Sequence, residues 1–277
     1  MASYVADTGF LRDDGLVDFL SKSISNTVAI AEYTCMECYQ GDALVNIERS
    51  LRHLCRFPAQ VVVLRWASAL VGDQDKSGRA LVRADLVERD QTEHFPEFCR
   101  GVRAAIAGDL TVVRQIRATG DAASKQLQVL RDGAVLVAQG IKGIASEIDQ
   151  DRLKHIRKDE PFTACDIDWF LRQVLAMARF MFDSHPEATR LPGPGELRGS
   201  WLFRYALAGC LLMRRWIQDG GIESTPTKKL SNDIIDMTIA TYGTYFDGVL
   251  SRDAKLLALH QEMRWVLEQA FDVDVGV

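Results

Sequence analysis

The sequence predicts an α/β fold in which helices flank a parallel β-sheet and a long helical insertion interrupts the sheet-forming part. Two observations lead to this prediction. Short apolar segments rich in β-branched residues alternate with helical patterns near both ends of the chain, and the middle shows helical periodicity only. The composition agrees, because 47% hydrophobic and 26% charged residues among 277 are typical of a folded globular protein and exclude wholesale disorder.

Three strands are predicted in the first part of the chain, over Ser3–Ala6, Thr27–Ala31 and Gln60–Leu64. Helical patterns separate them, one around Leu16–Leu20 and one running from about Thr34 through Leu54. Apolar runs joined by helices are typical of strands that are covered on both faces. We therefore expect these strands to lie parallel.

The last part of the chain again shows helix and strand patterns in alternation. Ser231-Asn232-Asp233 predicts a helix start, because Ser or Asn can cap a helix and Asp233 favours its positive end. A strand over Phe246–Leu250 and a helix from Leu256 to Phe271 follow. We predict one α/β core formed by residues 1–70 and 231–277, split by a helical insertion over 71–230.

Within the insertion, helical apolar spacing recurs through four stretches: Leu81–Leu86, Val102–Ile116, Leu127–Ile148 and Ile167–Phe182. Pro192-Gly193-Pro194-Gly195 interrupts the pattern, and a further helix is expected from about Glu196 to Gln218.

Cysteine usage and hydropathy bear on the compartment. Six cysteines are scattered without the spacing of a disulfide framework, and Asp7, Asp13 and Asp14 argue against a secretory signal peptide. The longest apolar runs, such as Ala206–Met213, fall far short of the roughly 18 residues that a membrane span needs. These observations predict a reducing, cytoplasmic setting without a membrane partner.

Acidic residues follow the predicted strands. Asp7 comes directly after the first strand, Asp253 after the last one, and Glu37 lies early in the helix after the second strand. Asp233 lies in the first turn of the helix that leads to the last strand. Because the carboxyl ends of parallel strands share one edge of a sheet, these four carboxylates are expected to converge.

Converging carboxylates repel one another and require a cation, and oxygen ligands suit Mg²⁺ or Mn²⁺. Such a site activates water and stabilises charge on a phosphodiester. The alternative is that these acids are strand-end caps that never meet. Four other acids compete for a role: Glu32, Asp42, Asp236 and Asp247. Asp236 shares a helical face with Asp233 and is either a metal ligand or a bystander, whereas Asp247 is expected to be structural.

The C-terminal stretch from Asn232-Asp233 to Ser251-Arg252-Asp253 resembles the end of PIN-domain nucleases. In that family an Asn-Asp pair opens a helix, and an apolar strand ends in Thr or Ser, one spacer and Asp. Val5-Ala6-Asp7-Thr8 resembles the family's first strand with its first catalytic Asp. Thr27–Ala31 followed by Glu37 is similar to the second strand and its helix-borne Glu.

The resemblance covers about residues 1–66 and 231–277, and it implies a PIN-like sheet with a long helical insertion. It implies a catalytic and metal-binding acidic tetrad, with Asp236 as a further candidate ligand and two polar helpers. The tetrad consists of Asp7, Glu37, Asp233 and Asp253. The further candidate ligand is Asp236, and the polar helpers are Thr8 and Ser251.

The net charge is −5, from 33 Lys and Arg against 38 Asp and Glu, but the basic residues are unevenly distributed along the chain. A net negative charge argues mildly against coating nucleic acid through bulk charge. Basic residues nevertheless cluster in the insertion and before the third acid. Lys228, Lys229 and Arg204 are the candidates for contact with a nucleic-acid backbone, and the alternative is a solvated helix face.

Other chemistries find little support. Cys35 and Cys38 have a CxxC spacing, but no second pair completes a zinc site, so packing is the expected role. Pro192–Gly195 lacks the Lys and Ser or Thr of a phosphate-binding loop, and no local motif suggests a Ser-His-Asp triad.

The sequence thus predicts a Mg²⁺- or Mn²⁺-dependent hydrolase, an endoribonuclease acting on RNA rather than DNA. A toxin-like or defence role is an expectation from the resemblance, with room for a regulatory protein partner and a homo-oligomer. Two rival interpretations remain open. One is a non-catalytic PIN-like protein whose insertion mediates assembly, and the other is an unrelated α/β scaffold whose acids never meet.

Overall fold

A computed structural model describes residues 2–71, 80–184, 192–220 and 227–271. Four strands form one parallel sheet in the order β3-β2-β1-β4. This confirms the predicted α/β class and the parallel pairing. The strands are β1 (Ser3–Ala6), β2 (Thr27–Ile30), β3 (Val61–Val63) and β4 (Gly248–Leu250).

Helices follow the strands and fill the middle of the chain. In chain order they are α1 (Asp14–Ser21), α2 (Glu32–Glu37), α3 (Ala43–Leu51), α4 (Arg89–Ile106), α5 (Leu110–Ser146), α6 (Gln150–Arg157), α7 (Ala164–Ser184), α8 (Pro194–Arg198), α9 (Trp201–Gln218), α10 (Thr227–Gly243) and α11 (Ala254–Phe271).

Both faces of the sheet are covered, because alternate strand residues enter two separate apolar cores. Val5 and Ala29 belong to the core that contains α5, α9, α10 and α11. Ala6, Val28 and Ile30 belong to the core that contains α1, α3 and α4. This alternation is what the period of two along a strand requires when helices lie on each side.

Two helix boundaries differ from the sequence prediction. The helix expected from Thr34 through Leu54 is divided into α2 and α3, and Gly41 between them has a φ of +76°, a left-handed conformation that ends helices. The helix expected to start at Ser231 begins at Thr227 instead. Asp233 therefore lies inside α10 and does not belong to its first turn.

The helix expected from Glu196 to Gln218 is likewise two helices, α8 and α9. Gly199 and Ser200 separate them, and the Ser200 hydroxyl accepts a hydrogen bond from the backbone N–H of Phe203 at 3.1 Å. This is the capping interaction that a helix start favours, so the chain can restart a helix at Trp201.

The predicted insertion shares its packing with the sheet. An isolated antiparallel bridge joins Leu64 to Val87, and α4 packs beside β3. The helices α5 and α9 pack against α10, whose residues fall on both sides of the boundary predicted at 231. The insertion and the sheet are thus parts of one packed unit in the described residues.

One cysteine pair differs from the expectation of free thiols. Cys55 and Cys99 form a disulfide with a Cα–Cα distance of 5.3 Å, although 44 positions separate them in the chain. Disulfides are uncommon in reducing compartments, so the cysteines no longer support a cytoplasmic setting. Cys35 is partly buried and Cys38 is buried, and both are free, as their expected packing role requires.

The hydropathy of the described helices bears on membrane crossing. None of them combines the length and the apolar character needed to cross a bilayer.

Candidate functional site

The candidate site lies at the carboxyl edge of the sheet, where β1 and β4 end side by side. The backbone N–H of Asp7 donates to the carbonyl oxygen of Leu250 at 3.1 Å, so the first residue after β1 is held against β4. Ser251 and Asp253 follow directly. The predicted convergence of Asp7 with Asp253 at this edge is therefore present in the structure.

Ser251 connects these two acids. Its hydroxyl donates to Asp7 Oδ2 and accepts from the backbone N–H of Asp253 at 2.9 Å. Asp7 Oδ1 accepts from the backbone N–H of Phe10 at 2.6 Å. Burial raises the pKa of Asp7, the nearby charge of Asp253 raises it further, and the hydrogen bonds from Ser251 and Phe10 oppose this.

Glu37 and Asp233 are fixed by side chains from other elements. Thr8 Oγ1 donates to Glu37 Oε2 at 2.5 Å, which joins the residue after Asp7 to the end of α2. The indole Nε1–H of Trp216 on α9 donates to Asp233 Oδ2 at 2.8 Å. Each of the two carboxylates thus has a defined orientation at the edge.

Asp236 lies close enough to the other four acids to feel the charge of each. Burial raises its pKa to about 7, and the negative charges of Asp253, Asp233, Asp7 and Glu37 each raise it as well. The four acids predicted from the sequence therefore act on one shared neighbour. The sequence leaves Asp236 as either a metal ligand or a bystander, and its position beside the four other acids makes it part of the candidate site.

Asp253 has a second role in the fold. Its Oδ1 accepts hydrogen bonds from the backbone N–H groups of Lys255 at 2.7 Å and Leu256 at 3.3 Å, so it caps the start of α11. Capping orients the carboxylate and satisfies helix N–H groups that otherwise lack partners.

The donor chemistry of the cluster fits Mg²⁺ or Mn²⁺, because it consists of carboxylate and hydroxyl oxygens. The charge that the acids impose on Asp236 is the kind of charge a divalent cation relieves. Among the residues described, no three His, Cys, Asp or Glu side chains are arranged as a ready metal-binding group. The acids are neighbours, and their side chains are not assembled as a ligand set.

A cavity of about 340 Å³ opens beside Asp233 and Asp236. Its wall includes three basic residues, Arg215, Lys229 and Lys255, and apolar residues of α9 and α11. Arg215 donates to the carbonyl oxygen of Lys255 at 2.8 Å and pairs with Glu262 at 2.9 Å. Cations next to a carboxylate cluster are suited to hold the phosphate of a nucleotide chain.

The three predicted basic contacts have different outcomes. Lys229 lines this cavity and lies 3.8 Å from Asp219, whereas the side chain of Lys228 lies outside the described residues. Arg204 is only 3% exposed. It donates to the carbonyl oxygen of Thr244 at 2.6 Å and stacks 3.7 Å from the centre of the Tyr245 ring. The prediction that Arg204 contacts nucleic acid is therefore wrong, because packing against α10 and the following turn encloses its guanidinium.

The competing acids have structural roles. Asp42 caps α3 by accepting from the backbone N–H of Val45 at 3.3 Å. Asp247 accepts from the backbone N–H of Ser3 at 2.6 Å and from Arg83 at 3.1 Å, which confirms its expected structural role. Glu32 is 8% exposed and accepts from the backbone N–H of Ala67 at 3.0 Å.

No pattern in the sequence singled out Lys255, Trp216 or Arg215. Lys255 is two residues from Asp253, so the spacing after the last acid was an available signal. Trp216 and Asp233 are 17 positions apart, and no local pattern connects them.

Comparisons of the chain with protein-family models, with curated proteins and with solved structures find no match in any of the three. The PIN-like interpretation therefore depends on the residues and the geometry described above.

Proposed function

We propose that this protein is a PIN-like nuclease that hydrolyses phosphodiester bonds in RNA at the acidic edge of its sheet, with Mg²⁺ or Mn²⁺. The observation that carries the proposal is the half-buried position of Asp236 among four other carboxylates. Burial raises the pKa of Asp236 to about 7, and the negative charges of Asp253, Asp233, Asp7 and Glu37 raise it as well. A divalent cation is the partner that such a charge requires.

The ions would be held by Asp7, Glu37, Asp236 and Asp253, with Asp233 beside them. When bound, Mg²⁺ or Mn²⁺ activates a water molecule and stabilises the charge that develops on the phosphodiester. Ser251 keeps one oxygen of Asp7 oriented toward β4 by its hydrogen bond. Thr8 does the same for Glu37, so both hydroxyls act as positioning groups.

The cavity beside Asp233 would receive the nucleotide next to the scissile phosphate. Lys229 and Lys255 line this cavity, and Arg215 is fixed by Glu262. We assign phosphate binding to these three residues. Leu256 and Leu259 form an apolar wall against which a base or sugar can pack.

The test is cleavage of a single-stranded RNA oligonucleotide that carries a fluorophore and a quencher. We expect cleavage in Mg²⁺ or Mn²⁺, none in EDTA, and slower cleavage of the matching DNA. Asp236→Asn and Asp253→Asn are expected to lower kcat/KM by at least about a hundredfold, because each removes a charged group at the reacting centre.

Asp151→Asn is the matched control, since Asp151 is an exposed acid on α6 that pairs with Lys154 at 3.3 Å. This variant is expected to cleave RNA at the wild-type rate. Cleavage that survives in Asp236→Asn and Asp253→Asn would refute the proposed site. Absence of divalent-dependent cleavage of RNA and DNA would refute the proposed nuclease activity and leave the two rival interpretations.

A further inference from the structure

A second cavity, of about 670 Å³, lies on another side of the molecule between α7, α9, α11 and the loop that follows α6. Its wall is mostly apolar and aromatic, and it includes Phe162, Phe170, Leu211 and Val266. Trp265, which is 61% exposed, lies at its border. A cavity of this size and lining matches the usual form of small-molecule sites, which have apolar walls and a few polar groups.

Arg214 is the basic residue of this wall. Its guanidinium carbon lies 5.5 Å from the centre of the Phe162 ring, and it forms no ion pair within 4.0 Å with any acid of the described residues. Its Nε is buried and has no hydrogen-bond partner. A cation over an aromatic ring in an apolar wall keeps its full charge available to a ligand.

Each acid of the same wall has at least one partner, although Oε2 of Glu262 is buried without a hydrogen bond in the described residues. Glu262 pairs with Arg215 at 2.9 Å, and Glu160 pairs with His155 at 2.8 Å. Asp159 accepts a hydrogen bond from Gln218 at 2.6 Å. Arg214 is the cation of this wall, and its buried Nε has no hydrogen-bond partner among the residues that the structure describes.

We infer that this cavity binds a small organic anion, with its negative group on Arg214 and an aromatic or branched aliphatic body between Phe162, Phe170 and Trp265. The apolar wall supplies affinity by burying the body of the ligand. The cation supplies selectivity, since a neutral molecule of the same shape leaves Arg214 unpaired. This inference is independent of the proposed nuclease activity.

The test uses two fluorescent probes that differ in one group. 8-Anilino-1-naphthalenesulfonate carries a sulfonate, and N-phenyl-1-naphthylamine has the same rings without it. We expect saturable binding of one sulfonate probe per folded protein, with a Kd about tenfold lower than that of the neutral probe. Arg214→Met is expected to abolish this preference and to leave binding of the neutral probe unchanged, whereas Arg214→Lys retains the preference.

Arg172→Met is the matched control, because Arg172 lies on α7, is exposed and pairs with Asp168. It is expected to bind both probes like the wild type. If Arg214→Met does not fold, Trp265→Ala provides the second variant, and it is expected to weaken binding of both probes. Equal affinity of the wild type for the two probes, or binding without saturation, would overturn the inference.

Discussion

The Ser251 hydroxyl donates a hydrogen bond to the Asp7 carboxylate, although 244 positions separate these residues in the chain. This bond joins the end of β1 to the end of β4 and holds one acid of the cluster in place. It also lowers the pKa of Asp7 against the effect of burial. Ser251 therefore links the stability of the sheet to the charge of the site.

Ser251→Ala should lower both the stability of the sheet and the activity of the site. Loss of this hydrogen bond is expected to lower the free energy of unfolding by roughly 1 kcal/mol and to leave an acceptor oxygen of Asp7 without its donor. We also expect RNA cleavage to fall by about tenfold, because Asp7 loses its fixed orientation. Urea unfolding and the cleavage assay measure the two effects. Ser251→Thr keeps the hydroxyl and is expected to restore both, so equal losses in the two variants would contradict this role.

Lys255→Gln should separate substrate binding from chemistry. Lys255 lines the cavity beside Asp233, and removal of its charge is expected to raise KM for RNA by about three- to tenfold with little change in kcat. Steady-state kinetics at several salt concentrations provide the measurement. Lys154→Gln on α6 is the control and should leave KM unchanged. A fall in kcat with unchanged KM would mean that Lys255 acts on the reacting centre instead.

Glu32 should make stability depend on pH. Burial raises its pKa from 4.5 to about 7, although hydrogen bonds from Ala67 and Tyr242 oppose the shift. The unfolded chain releases this proton near pH 4.5 and the folded protein near pH 7. The stabilising contribution is therefore complete below pH 4.5 and is lost as the pH rises through 7.

Glu32→Gln should remove this dependence. The amide keeps an acceptor for Ala67, and the variant is expected to be more stable than the wild type at pH 8 by on the order of 2 kcal/mol. Urea unfolding of both proteins at pH 4, 6 and 8 gives the difference. A difference that stays constant across the three pH values would show that Glu32 does not titrate as described.

The Cys55–Cys99 disulfide should stabilise the packing of α4 on the sheet. Reduction, or the double change Cys55→Ser and Cys99→Ser, is expected to lower the free energy of unfolding by about 2–4 kcal/mol. Thermal unfolding with and without dithiothreitol provides the measurement. Cys165→Ser, which changes an exposed free thiol, serves as the control. Alkylation of all six thiols in unfolded protein without a reductant would contradict the bond.

Two glycines in helices should respond to Ala in opposite directions. A Cβ at Gly243 would overlap Val249 and lie 2.8 Å from Cδ2 of His260, whereas a Cβ at Gly133 meets nothing within 4 Å. Gly243→Ala is expected to destabilise the protein by about 1–3 kcal/mol, because α10 must move away from β4. Gly133→Ala is expected to stabilise it by about 0.5–1 kcal/mol through helix propensity. Urea unfolding of the two variants and the wild type measures both changes. Equal changes in the free energy of unfolding for the two variants would contradict this prediction.

The sequence was sufficient for features that depend on local pattern. Apolar runs located all four strands, and the placement of Asp7 and Asp253 after strands predicted their meeting at one edge. The rule that parallel strands share a carboxyl edge needs only the order of elements along the chain. The same rule located Glu37 near this edge, although the break at Gly41 shortens its helix.

Features that depend on packing could not be predicted in this way. Arg204 lies in a basic helix by pattern, and only the contact with Tyr245 shows that it is enclosed. In the sequence Asp236 is one of several competing acids, and only the packing of α10 shows that it lies beside the others. The pairing of Cys55 with Cys99 likewise depends on how α4 packs beside β3, which no spacing in the sequence encodes.

The position of β1 between β2 and β4 has a consequence for biosynthesis. During translation β1 can pair with β2 early, but its other neighbour is made more than 240 positions later. Contacts so distant in sequence form late, because a long loop must close first. Asp7 and Asp253 therefore meet only after β4 has left the ribosome, so a nascent chain without β4 also lacks the complete acidic cluster.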